Sequence, residues 1–116
     1  MSVYCDANIL IKRVLDEGDA AHVVRELTSR VNARETLVTS SLARAEIRRT
    51  LLRASGIGTG AEHDHRIDDL TASSLSGVYV ESMDEDTLML AGHLPVRYLG
   101  TLDAIHVATA LRSHCT

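Results

Sequence analysis

The sequence predicts an α/β fold, a three-layer α/β/α sandwich in which helices cover both faces of a central parallel sheet. Short β-type runs alternate with longer segments of helical apolar spacing, which is typical of parallel strands joined by helical crossovers. The length of 116 residues fits one domain, 1–116, and the apolar share of 45% with 24% charged residues is that of a soluble globular protein. Three Tyr without Phe or Trp predict an aliphatic core.

The first half of the chain predicts two strands and three helices. Ser40 and Ser41 are favourable N-cap residues for the third helix. In chain order, we expect a strand at 3–5, helices at 7–15 and 20–33, a strand at 36–39 and a helix at 40–55.

The second half begins with a glycine-rich loop at 56–60. The loop lacks a following Lys–Ser/Thr pair and a preceding strand, so a phosphate-binding P-loop is not predicted. We expect a helix at 61–75, a strand at 77–80 and helices at 84–94 and 102–112, the last capped by Thr101. Another strand should then complete the sheet, but the sequence reaches Thr116 first, which predicts either a domain truncated at its C-terminus or a fold that ends in an unusual way.

Composition limits the classes of function. The formal net charge of −4 argues against strong nonspecific nucleic-acid binding by the whole surface. Scarce aromatic residues argue against a platform that stacks single-stranded bases. The 12 basic residues are eleven Arg and one Lys, Lys12, and arginine suits bidentate contacts with phosphate or carboxylate.

The cysteines and the hydropathy pattern predict a soluble protein of the cytoplasm. Cys5 lies in an apolar run and should be buried, while Cys115 is next to last, so neither a disulfide framework nor a cysteine metal cluster is expected. Asp6 interrupts any signal-peptide core, and no apolar run reaches the roughly 18 residues that a membrane span needs.

Asp6 is the first candidate functional residue because it directly follows the first predicted strand. In open parallel sheets, ligand sites lie at the carboxyl ends of strands, near the point where strand order reverses. Asp6 is equally suited to cap the helix that begins there. Asn8, two residues on, is placed to orient Asp6 or a metal-bound water, or else faces solvent.

Glu46 lies in the middle of the third predicted helix, at the border of its apolar stripe. Its alternative role is that of a solvated glutamate paired with Arg49 or Arg53. The predicted stripe consists of Ala43, Ile47, Leu51 and Ala54.

Asp103 falls in the first turn of the last predicted helix, where the helix dipole would stabilise any acid. The surrounding residues are small or apolar, so we expect a buried helix with Asp103 facing a cleft or a partner. A buried carboxylate is costly without a cation, which a metal ion would supply. His106, one turn later, is more typical of a hydrogen-bonded structural histidine than of a ligand. His63 and His65 could hold zinc, but no further ligand has suitable spacing.

Three segments carry a resemblance to the PIN domain family, in particular to the VapC-type toxins of toxin–antitoxin systems. Residues 3–10 resemble the opening strand with its Asp-x-Ser/Asn motif, 41–47 the helix that supplies a glutamate, and 102–110 the stretch with the third acid. The order and spacing agree over all 116 residues.

The resemblance implies a metal-dependent endoribonuclease that uses Mg²⁺ or Mn²⁺, is neutralised by a cognate VapB-like antitoxin and forms a homodimer. It implies catalytic and metal-binding roles for Asp6, Glu46 and Asp103, with Asn8 in support. Asp6 and Asp103 would be direct ligands, and Glu46 would bind the metal through water or orient the attacking water. Hard oxygen donors suit these cations, which activate water and polarise phosphate.

One departure concerns a fourth acid, which the family usually carries after a strand that follows the last helix. The sequence ends before that position, and Asp84 and Asp86 precede a different helix. The alternative reading is therefore a catalytically impaired or inactive PIN-like fragment that only binds a protein partner.

Four arginines of the third predicted helix are candidate contacts for RNA phosphates or for the antitoxin, or else form a solvated face. They are Arg44, Arg48, Arg49 and Arg53. A phosphoacceptor receiver domain would also place an aspartate after its first strand, but it needs a second acid there and a nearby lysine. The single Lys12 lies within the first helix instead.

Overall fold

The computed structural model describes residues 1–16, 18–55 and 60–115, so most of the predicted glycine loop lies outside the described residues. The described residues form three parallel strands and six helices, which confirms the α/β fold class. In chain order these are β1 (Ser2–Tyr4), α1 (Ala7–Ile11), α2 (Ala20–Asn32), β2 (Thr36–Ser40), α3 (Leu42–Ala54), α4 (Ala61–Ser74), β3 (Val78–Glu81), α5 (Glu85–His93) and α6 (Thr101–Arg112).

The sheet has the order β1-β2-β3, with Tyr4 opposite Val38 and Val38 opposite Tyr79. Strand order does not reverse within the described sheet, so Asp6 follows an edge strand rather than a topological switch point. No strand follows α6 in the described residues, which run to Cys115.

Helices cover both faces of the sheet. Cys5 and Leu37 belong to the main apolar core, which includes residues of α1, α2, α3 and α4. Successive strand residues point to opposite faces, so Tyr4 and Val38 face the other way, where α6 packs against β2. Burial of every residue in Leu37–Ser40 is typical of a strand covered on both sides.

Two predicted element boundaries are wrong for local geometric reasons. The first helix ends at Ile11 rather than at 15, because the N–H groups of Lys12, Arg13 and Val14 donate to carbonyls three residues earlier, which tightens the chain into a turn. Thr101 does not cap the last helix. It is already the first helical residue, and the N-cap position belongs to Gly100.

The start and the apolar stripe of α3 also differ from the prediction. Ser41 occupies the N-cap position without making a side-chain cap; its Oγ instead accepts from Met83 N at 3.2 Å and thereby ties α3 to the end of β3. Ser40 Oγ accepts from Leu42 N at 3.2 Å. Ala54 is exposed, so the predicted stripe stops at Leu51, one turn before the helix ends.

The cysteines behave as predicted within the described residues: both are free, and Cys5 is buried. Burial raises the pKa of the Cys5 thiol to about 11. No described helix is long and apolar enough to cross a membrane.

Candidate active site

A pocket of about 390 Å³ opens at the carboxyl end of β1, between α1, α3 and α6. The three acids predicted from separate segments all line it. Its lining comprises Asp6, Ala7, Asn8 and Ile11, then Ala45, Glu46, Arg49, Thr50 and Arg53, and finally Leu102, Asp103 and His106.

Asp6 is the N-cap of α1 and lines the pocket at the same time. Its Oδ1 accepts a hydrogen bond from Ile9 N at 3.0 Å, so the capping alternative is correct as far as local structure goes. Within the described residues Asp6 has no cationic partner. The neighbouring Asn8 is exposed at the pocket, and its side chain makes no hydrogen bond to the described part of the chain.

Glu46 is held by a histidine rather than by an arginine. Its Oε1 lies 2.5 Å from Nε2 of His106, so the predicted alternative of a pair with Arg49 or Arg53 is wrong. The reason is packing: α6 carries His106 against the glutamate, whereas the Arg53 guanidinium donates to the Thr50 hydroxyl at 3.2 Å.

His106 is buried, with 8% of its surface exposed, and both of its ring nitrogens are engaged. Nε2 contacts Glu46, and Nδ1 contacts the hydroxyl of Tyr4. The expectation of a hydrogen-bonded histidine is therefore confirmed. Burial raises the pKa of Tyr4 to about 12, against the opposing effects of the Thr39 hydroxyl and the Ser40 backbone.

Sequence reasoning missed Tyr4. The available signal was the period-two alternation of β1, which places Tyr4 on the face opposite Val3 and Cys5, toward the layer that holds α6. The pattern of the strand alone does not indicate that a histidine from α6 meets the phenol there.

Asp103 lies on the first turn of α6 and is exposed. The expectation of a largely buried last helix is wrong: Leu102, Val107 and Leu111 are exposed because only one face of α6 packs on the sheet. Asp103 also lines a second depression of about 300 Å³, together with Tyr4, Asp6, Ile9, His106, Val107 and Ala110. The acids Asp6 and Asp103 therefore border two adjoining depressions.

The four arginines of α3 separate into two groups. Arg49 and Arg53 line the pocket, whereas Arg44 and Arg48 do not. Arg48 Nε donates to Asp68 Oδ1 on α4 at 2.8 Å, which commits this guanidinium to a contact between helices.

Carboxylate oxygens are the donors that Mg²⁺ and Mn²⁺ take in proteins, so the chemistry of the lining fits such a cation. Asp6 and Asp103 form no ion pair in the described part of the chain, which leaves negative charge at the pocket. The described part of the chain contains no group of three or more His, Cys, Asp or Glu side chains gathered closely enough to hold a metal. The acids share a pocket without forming a ready ligand cluster.

The alternative sites are not assembled. His63 contacts Ser55, and His65 contacts Asp69. Among the residues that the structure describes, no further side chain joins the two histidines in a group that could hold zinc. Lys12 contacts Asp19, away from Asp6, which is contrary to a receiver-type site.

Comparison with known proteins agrees with these observations. Residues 3–116 match the family model of the PIN domain. Over 111 residues the chain is 34% identical to Ribonuclease VapC46 of Mycobacterium tuberculosis, which covers 96% of this chain and 75% of that protein. The chain therefore belongs to the PIN domain family and is of the VapC type.

Proposed function

We propose that this chain is a metal-dependent endoribonuclease of the VapC toxin type, acting on RNA. The observation that carries the proposal is the pocket that Asp6, Glu46 and Asp103 line together with Arg49 and Arg53. The similarity to a protein named as a ribonuclease supports the same reaction class.

The proposed cofactor is Mg²⁺ or Mn²⁺, with Asp6 and Asp103 as direct ligands and Glu46 acting through water. When bound, the cation would neutralise these carboxylates and draw electron density from a phosphodiester. Asn8, an amide on the pocket wall, would support Asp6 by hydrogen bonding.

The remaining steps belong to side chains of the chain itself. Arg49 and Arg53 would hold the phosphate backbone by charge-assisted hydrogen bonds. Glu46 uses Oε1 for His106, and its Oε2 makes no hydrogen bond within the described residues, so this oxygen would orient the attacking water. The proposal thus separates substrate binding by α3 arginines from water orientation by the α3 glutamate.

The proposed partners follow from the VapC type. A cognate VapB-like antitoxin would neutralise the enzyme by laying a segment in the pocket, with exposed Arg44 as an outer contact for it. The proposed assembly is a homodimer, and the proposed location is the cytoplasm.

A second candidate function is a catalytically impaired PIN-like chain that only binds a protein partner. It is favoured by the lack of a gathered metal-ligand cluster among the described residues. Asp84 and Asp86, the other acids considered as a fourth ligand, both contact Arg112 instead.

RNA cleavage with Mg²⁺ or Mn²⁺ tests the proposal, with Asp103→Asn as the diagnostic variant and Asp64→Asn as its control. Asp64 lies in the first turn of α4, as Asp103 does in α6, but does not line the pocket. We expect the wild type and Asp64→Asn to cleave RNA, a chelator to stop both, and Asp103→Asn to be nearly inactive. Absent metal-dependent cleavage by the wild type would favour the partner-binding alternative.

A further inference from the structure

We propose that Tyr4 and His106 are positioning residues that fix the Glu46 carboxylate at the pocket, a proposal that rests on the proposed function. The three side chains form one chain of contacts from β1 through α6 to α3. Tyr4 Oη meets Nδ1 of the imidazole, and Nε2 on the opposite side of the ring lies 2.5 Å from Glu46 Oε1.

Of the two neutral tautomers of the ring, only one fits these contacts. A carboxylate only accepts hydrogen bonds, so Nε2 must carry the proton that Glu46 receives. In the neutral ring Nδ1 is then an acceptor, and the Tyr4 hydroxyl donates to it. In this arrangement each hydrogen-bond donor of Tyr4, His106 and Glu46 meets an acceptor. The imidazole cannot rotate about its bond to Cβ without losing both hydrogen bonds.

Glu46 and His106 line the pocket, and the histidine is the more buried of the two. The His106 side chain is 10% exposed and the Glu46 side chain 27% exposed, so the ring forms the wall against which the carboxylate rests. Glutamate loses appreciable rotamer entropy when it is held in one conformation, and a rigid buried partner lowers the population of competing rotamers. Hydrogen-bonded partners behind a ligand typically contribute 10- to 100-fold to metal affinity or activity.

A second contact lies within the same stretch of α3. The Thr50 hydroxyl donates to the Glu46 carbonyl at 2.8 Å, whereas the carboxylate itself is bonded to His106 only, among the described residues. Loss of the ring would therefore free the Glu46 side chain while leaving the helix in place.

Steady-state RNA cleavage tests the positioning role. We expect His106→Leu to lower kcat by about 10- to 100-fold with an unchanged KM for RNA, because the arginines that bind substrate are not altered. His106→Gln should recover part of kcat, since its amide can donate to Glu46. In a Glu46→Ala background, His106→Leu should cause no further loss.

The control is His93→Gln, because this exposed histidine bonds only to the Met89 carbonyl in the described residues. It should cleave RNA at the wild-type rate, and thermal unfolding should show His106→Gln to be folded. A raised KM, or an equal loss from His106→Leu with and without Glu46, would overturn the proposal.

NMR of the imidazole nitrogens in labelled, metal-free protein gives a readout that needs no turnover. We expect His106 to show a proton on Nε2 and none on Nδ1, and to shift toward mixed tautomers in Tyr4→Phe and in Glu46→Ala. If the wild type cleaves no RNA, the proposed function fails, and this pattern still decides whether Glu46 is fixed. Mixed tautomers or a protonated Nδ1 in the wild type would overturn the positioning pair.

Discussion

Asp6 and Asp84 occupy the same local structure and differ in their charge environment. Each follows a strand of the parallel sheet, has an extended backbone and caps the next helix: Asp6 Oδ1 accepts from Ile9 N at 3.0 Å, and Asp84 Oδ1 from Thr87 N at 2.9 Å. Asp84 also contacts the Arg112 guanidinium. Asp6 has no such partner in the described chain and lines the pocket with two other acids.

The comparison teaches that a helix-capping hydrogen bond alone does not distinguish a structural aspartate from one that is available to a ligand. Hydrogen bonds from Thr87 and the charge of Arg112 lower the pKa of Asp84, so its charge is satisfied within the fold. No cation of the described chain pairs with Asp6, so under the proposed function its charge would be available to a ligand. The two aspartates differ in whether a cationic side chain lies beside them, which residue spacing in the sequence does not predict.

The largest expected effect comes from neutralising each cap in turn. Asn caps helices about as well as Asp, so Asp6→Asn should unfold near the wild-type temperature. RNA cleavage should nevertheless fall by about 100-fold or more, because metal stabilisation is worth several kcal/mol and each ~1.4 kcal/mol is tenfold in rate. Asp84→Asn should cleave like the wild type. Equal activities for the two variants would erase the distinction.

The same contrast predicts a smaller effect at two adjacent arginines. Arg49 lines the pocket, whereas Arg48 is paired with Asp68. We expect Arg49→Ala to raise the KM for RNA by about tenfold, the typical value of one hydrogen bond to a charged group, and to reduce the salt dependence of binding. Arg48→Ala should leave KM unchanged. Filter-binding titrations at several salt concentrations would measure both variants. A larger loss of RNA binding in Arg48→Ala than in Arg49→Ala would contradict the prediction.

Metal binding without RNA gives a stability effect. A cation that binds only the folded chain stabilises it by about 2.7 kcal/mol at 100 times its Kd, which corresponds to several degrees in melting temperature. Mg²⁺ or Mn²⁺ should therefore raise the melting temperature of the wild type and of Asp84→Asn. The same addition to Asp6→Asn should give a much smaller shift in differential scanning calorimetry.

The smallest expected effect is the pH dependence of the stability that Asp84 contributes. Asp84 has a folded pKa below its ordinary value of 3.8, so its contribution to stability is present above pH 3.8 and is lost as pH falls through the folded pKa. Wild type and Asp84→Asn should thus differ in melting temperature near neutral pH and converge in acid. A difference that grew as pH fell would contradict the assigned ion pair.

Local patterns were sufficient to predict the order of strands and helices, whereas the family resemblance was needed to choose the three acids over their structural alternatives. Asp6, Glu46 and Asp103 each stand at a position that spacing identifies, at a strand end, at a stripe border or in a first turn. Their arrangement in one pocket also agreed with the family resemblance.

Features that depend on tertiary packing were not predictable in this way. Helical spacing from 7 to 15 does not report the tight turn after Ile11, and an apolar run does not tell which face of α6 meets the sheet. The partner of Glu46 came from a different helix, although two arginines were closer in sequence. Prediction of the contact between Tyr4 and His106 would have required both the alternation of β1 and the position of α6.

The contact between Tyr4 and His106 joins residues that are 102 positions apart, and His106 reaches Glu46 across 60. Contacts of such long range require closure of large loops, which slows their formation relative to local helices. During synthesis the pocket cannot close until α6 has left the ribosome. We therefore expect nascent chains and fragments that lack α6 to be without the assembled site, so that the proposed RNA cleavage would begin only after α6 has packed against the sheet.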